Sequence, residues 1–181
     1  QWSDGWNTDF TADVFGYFGC TWFTYWSIND EEGSDTYGKR NMCQGPVTYH
    51  WGGTYLGVTD QCPNKELAAL VLYTLCCDTD TMYKLSDETL DFVNNKAAVA
   101  KLIADGKGES PVLGGANPLQ TWADNAEKIN LQYATEYDST FNGYLDNASE
   151  AYNSGELKTV DDAVEAIKQS IRDGYQNLTV E

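Results

Sequence analysis

The chain has 181 residues, enough for a real core, with 28 acidic and 11 basic side chains and a formal net charge of −17. That balance excludes a nucleic-acid partner and docking on an anionic membrane, both of which require clustered Lys and Arg. Hydrophobic residues at 41% and charged residues at 22% mark a globular composition rather than a disordered one.

Five of the six tryptophans, Trp2, Trp6, Trp22, Trp26 and Trp51, stand in the first 51 residues, with Trp122 alone behind them. This front is rich in Gly and Tyr. Residues 14–18, apolar and aromatic and closed by Gly19, suit a buried strand. Residues 22–28 continue as a strand or begin a helix, and 29–38 form a polar loop. Residues 47–49 and 54–58 read as strand pieces around Trp51-Gly52-Gly53, where the glycine pair permits close approach of another group.

From Pro63 onward the chain reads as helices. Pro63 suits a first helical turn, and Leu67, Leu70, Val71 and Leu75 repeat on one face. A short helix is expected over 79–85. Asn95 caps a helix carrying Val99, Leu102 and Ile103 that ends near Gly106. Asn117-Pro118 opens another helix through Trp122 and Ala126. The pattern over 138–153 is helical, and Gly155 stops it. Thr159 and Asp162 stand in a near capping box, with Asp in place of Glu, opening a last helix whose Val160, Val164, Ile167 and Ile171 are expected to face its core, and Gly174 ends it.

No run of ~18 apolar residues is present to span a membrane. The opening Gln1-Trp2-Ser3-Asp4-Gly5 shows no secretion signal, and without an initiator Met it is not read as the true start. The cysteines at 20, 43, 62, 76 and 77 are odd in number and lack zinc spacing, so free and mostly buried thiols are expected, with disulfides the minor alternative. His50 is the only histidine, and any Ser-His-Asp or Cys-His set would rest on it. With so many acids, carboxylate pairs of the glycosidase kind are unavoidable and uninformative. Phosphate-binding glycine loops are absent. The expectation is a binding protein, not an enzyme, with no cofactor and no metal.

Three stretches together resemble the carbohydrate-binding proteins of ABC importers, the maltose-binding protein family. They are Phe15-Gly16-Tyr17-Phe18-Gly19-Cys20-Thr21-Trp22-Phe23; Trp51-Gly52-Gly53-Thr54-Tyr55-Leu56-Gly57-Val58 running to Cys62-Pro63-Asn64-Lys65-Glu66-Leu67-Ala68; and Tyr137-Asp138 through Thr159-Val160-Asp161-Asp162-Ala163. Their order and spacing match, although members often carry proline where Cys20 stands. The resemblance implies an α/β fold of the type II periplasmic-binding-protein kind, helix-rich after residue 62. It places residues 1–57 in the C-terminal lobe, 58–114 as helices of the N-terminal lobe, and 115–181 back in the C-terminal lobe, with crossovers near 56–58 and 112–115. Complete members are longer, so the chain reads as a C-terminal portion whose N-terminal half would be a partner.

The same resemblance implies capture of a sugar or oligosaccharide between two lobes and delivery to ABC permease subunits. It implies an extracellular, lipid-anchored setting for the full protein. Trp22 and Trp51 are the candidate stacking platforms, with Gly52 and Gly53 beside the second; the alternative for each ring is the core. Asp138, beside Tyr137, is the candidate hydroxyl acceptor, or else a helix cap. Trp26, Tyr55 and Trp122 are expected in the core. A freestanding carbohydrate-binding or protein-interaction module is the alternative function.

Overall fold

A computed structural model describes residues 14–28, 32–33 and 35–181. Trp2, Trp6 and the opening segment, parts of the 29–38 loop, and the side chain of Trp26 lie outside the described residues. Helices take up 47% of the chain, and among the described residues there is no strand and no sheet. The expected α/β type II fold is therefore corrected to a helical one.

The correction falls on the aromatic front. Residues 14–18 and 47–58 carry apolar side chains but run without a neighbouring strand among the described residues, and a strand needs a paired ladder of N–H and C=O groups. Most of their side chains are exposed, Tyr17 being partly buried: Phe15 is fully exposed, and Tyr55, expected in the core, is 90% exposed. Residues 22–28 resolve as a short helix, α1 (Phe23–Trp26).

Behind the front, the capped periodic stretches fold as helices. They are α2 (Lys65–Cys76), α3 (Thr79–Thr89), α4 (Lys96–Ala104), α5 (Leu119–Ala126), α6 (Asp138–Asn153) and α7 (Val160–Gly174). Side-chain caps explain most of the starts. Asn64 accepts from the Leu67 amide, Asp78 from Thr81 and Asn95 from Ala98. Asn64 rather than Pro63 heads α2, and α3 runs on past Leu85 to Thr89.

The chain divides into two units, the first ending at Ile129 and the second comprising Asn130–Glu181. In the first, α3 packs on α4 and α4 on α5. Met82, Val93, Ala98 and Val99 form one buried cluster, and Leu102, Leu119 and Trp122 form another. Trp122 meets Phe92 edge to face at 5.9 Å, so the expected core tryptophan is in the core. The Asn95 amide nitrogen donates to the Cys77 carbonyl at 2.8 Å, locking the α4 start against the α2–α3 junction. Gly114, at φ 64°, lies so close to Gly38 that an added Cβ would sit 2.5 Å from its carbonyl oxygen. That approach holds the 35–40 loop against the 3-10 turn Pro111–Leu113.

The second unit is a hairpin of α6 and α7. Gly155, at φ 79°, ends α6, and the Thr159–Asp162 capping box opens α7 with both of its hydrogen bonds formed. Rings of Tyr137, Phe141, Tyr144 and Tyr175 join the two helices. Ala148 is buried, whereas Val160 and Val164 on α7, expected to face the core, are exposed.

Candidate functional site

The described front turns on Cys20. The Phe23 amide donates to the Cys20 carbonyl, Trp22 occupies the N-cap of α1, and the Phe23 side chain is buried. Gly19 is required there, because a Cβ would lie 2.6 Å from the Phe23 ring. The extended 47–51 segment approaches this turn: burial pushes the Tyr49 hydroxyl up, and the neighbouring Cys20 adds to the rise. Trp22 and Trp51 stand two residues beyond Cys20 and Tyr49 in sequence, both in the first unit.

Trp22 is half-buried and Trp51 is 47% exposed. Among the described residues, a Cβ added at Gly52 or Gly53 would meet nothing within 4 Å, so the backbone next to Trp51 is uncrowded there. No Asp, Glu, Lys or Arg stands between Arg40 and Asp60, an uncharged interval in a strongly acidic chain.

Tyr137 and Asp138 lie together in the second unit. The Tyr137 ring packs on Phe141 and edge to face on Tyr175, at 5.9 and 5.0 Å. Exposed Asp138 opens α6 and folds back, its Oδ1 accepting from the Thr135 amide at 3.1 Å and hydroxyl at 2.6 Å. One carboxylate oxygen of Asp138 is thus occupied in shaping the helix start.

The structure also contains a site that the sequence reading missed. A cavity of about 560 Å³ opens in the first unit, lined by Tyr25 of α1, by Met82, Leu85 and Thr89 of α3, and by residues 91–94. Its geometry is set at the end of α3. Leu90 takes the left-handed conformation at φ 59°, which costs a side-chain-bearing residue about 1–2 kcal/mol and turns the chain sharply. Ser86, buried, donates from Oγ to the Asp91 carbonyl at 2.6 Å and fixes that turn.

Asp91 is then left half-buried, its Oδ1 accepting, among the described residues, only from its neighbour Phe92's amide at 2.8 Å. Burial pushes its carboxyl above the ordinary range, with that amide pulling the other way. Burial also raises Tyr25 and Cys20, and the Asp91 charge contributes to both rises. The hydroxyls of Tyr25 and Ser110 are shut off from solvent and face one another without full hydrogen-bond geometry. A helix that ends on leucine rather than glycine gives little signal in sequence, so this pocket was not legible.

The five cysteines are free thiols, but the expectation that most are buried is corrected: Cys43 and Cys77 are exposed, and Cys20, Cys62 and Cys76 are only partly covered. Among the described residues, no group of three or more His, Cys, Asp or Glu is placed to hold a metal ion, and no helix is long and apolar enough to cross a membrane. No protein-family model, curated protein or solved structure matches the chain.

Proposed function

We propose that this chain is the substrate-binding component of a carbohydrate ABC importer, capturing a sugar or oligosaccharide outside the cytoplasm for transfer to the permease subunits. The observation that carries the reading is the Trp51-Gly52-Gly53 segment: a half-exposed indole beside an uncrowded glycine backbone, within an uncharged interval. A sugar presents an apolar C–H face that stacks on such a ring, worth about 0.5–1.5 kcal/mol beyond burial. Its hydroxyls seek in-plane acceptors and donors. Trp22 is half-buried at the head of α1, and Asp138 offers its second carboxylate oxygen elsewhere in the chain. The three family-like stretches add support, whereas the reading no longer leans on a type II sheet fold.

Titration calorimetry against maltose, longer oligosaccharides and monosaccharides tests the proposal. Weak binding, reduced severalfold or more in Trp51→Ala, is the expected result. No heat with any sugar at millimolar concentration, or binding indifferent to Trp51, overturns it.

A second reading, a protein-interaction module, is favoured by one observation. The α2 stripe of Leu67, Leu70, Val71 and Leu75 is exposed along its whole length, whereas solvated helices usually bury such a face. Sedimentation of the native chain and of Leu70→Glu distinguishes the two readings, since self-association abolished by Leu70→Glu supports the second.

A further inference from the structure

We propose that the cavity bounded by Tyr25, α3 and residues 91–94 binds a small organic cation with an apolar body, its ammonium group seated against Asp91. This site is independent of the sugar reading, which rests on different residues.

The argument begins with size and lining. A cavity of about 560 Å³ falls within the range of small-molecule sites. Met82, Leu85, Phe92 and Val93 supply apolar walls, and Asp91 is the only carboxylate in the lining. A charge withdrawn from water is normally paired, because leaving it unpaired is costly. Among the described residues no ion pair reaches Asp91; Lys65, Lys96, Lys101, Lys107 and Arg172 pair with other carboxylates. Its Oδ2 accepts from no protein donor among the described residues. A ligand ammonium supplies the missing cation and a hydrogen bond to that oxygen.

The aromatic lining fits the same ligand. The rings of Tyr25 and Phe92 border the cavity, and aromatic faces attract a cation within about 6 Å of the ring centroid. An anionic ligand is disfavoured twice, by Asp91 itself and by the −17 net charge of the whole chain, which enriches cations nearby. Neutral apolar molecules fill the walls but leave the carboxylate unpaired.

The test is calorimetry on the full chain at 150 mM salt, with NMR shifts as a second readout. The probes are phenethylammonium and benzyltrimethylammonium, the neutral 3-phenylpropanol and the anionic 3-phenylpropionate. The expected result is saturable binding of the ammonium probes, at least tenfold weaker binding of the alcohol, and none of the carboxylate. Asp91→Asn should weaken the ammonium probes at least tenfold and leave the alcohol unchanged. Removing one of 28 acids hardly alters diffuse attraction of cations, so such a loss reports the seat itself. Should Asp91→Asn lose its helical circular dichroism, Leu85→Trp decides instead. Leu85 is 46% exposed, so a larger ring can be accommodated there while narrowing the cavity, and it should abolish binding. Equal affinity for ammonium and alcohol, ammonium binding unaltered in a folded variant, or no binding at millimolar probe overturns the proposal.

Discussion

The Ser86 hydroxyl donates to the backbone carbonyl of Asp91 at 2.6 Å, across the left-handed turn at Leu90. This one bond ties the end of α3 to the loop that presents the carboxylate of the cavity. Ser86 is 3% exposed, so removing its hydroxyl leaves a carbonyl without its donor and gives water little access to replace it. Ser86→Ala should lose about 1–3 kcal/mol in urea unfolding. Hydrogen exchange should quicken at the amides of 90–93 before it does in α4. Unchanged exchange there would show that the turn holds without this bond.

Trp122 joins α5 to the Phe92 side of the cavity. Truncation to Ala should cost about 3–5 kcal/mol, the range for a buried large aromatic. Trp122→Phe keeps a ring for the edge-to-face contact and should cost distinctly less. Chemical unfolding of both variants, with near-ultraviolet circular dichroism, checks the order.

At α7 the two halves of the capping box are separable. Thr159→Ala removes the acceptor for the Asp162 amide, and Asp162→Asn weakens the acceptor for the Thr159 amide. The first should cost about 1 kcal/mol and the second less. The loss should appear as fraying of the first turn of α7, seen as faster exchange at residues 160–163. A loss spread evenly along α7 would contradict a capping role.

Burial holds the Asp91 carboxyl above its ordinary range, so the folded chain keeps that proton to higher pH than the unfolded chain. Between the ordinary value and the raised one, the folded state binds more protons, and stability must fall as pH rises through that window. The facing groups, Tyr25 and Cys20, are both raised and stay neutral throughout it. Asp91→Asn should therefore match the native chain at low pH and exceed it above the window. Melting temperatures of both chains measured across acidic to neutral pH provide the check, and parallel curves would refute the assignment. A native residue that costs stability where it is charged is what a ligand-pairing carboxylate would look like.

Helix starts were legible because they are local. Asn95, Asn117, Thr159 and Asp162 announce themselves by residue type and spacing, and each acts within a few residues of its own position. The end of α3 was not legible, since Leu90 in a left-handed conformation has no residue signature. Residues 47–58 misled in the other direction. Aromatic and branched residues favour a strand, but only a neighbouring strand makes one, and the described chain supplies none.

The predicted site residues divide on the same line. That Trp51 keeps a face in solvent, and that one oxygen of Asp138 is occupied by Thr135, follow from surroundings that the residues themselves do not specify. The sequence alone determined the helical back, its caps and its acidic surface, because propensity, capping and charge act over one turn of chain. Only the tertiary structure decided that the described part of the aromatic front forms no sheet, and that Asp91 loses water without gaining a cation among the described residues. Burial and pairing depend on what residues far along the chain bring near.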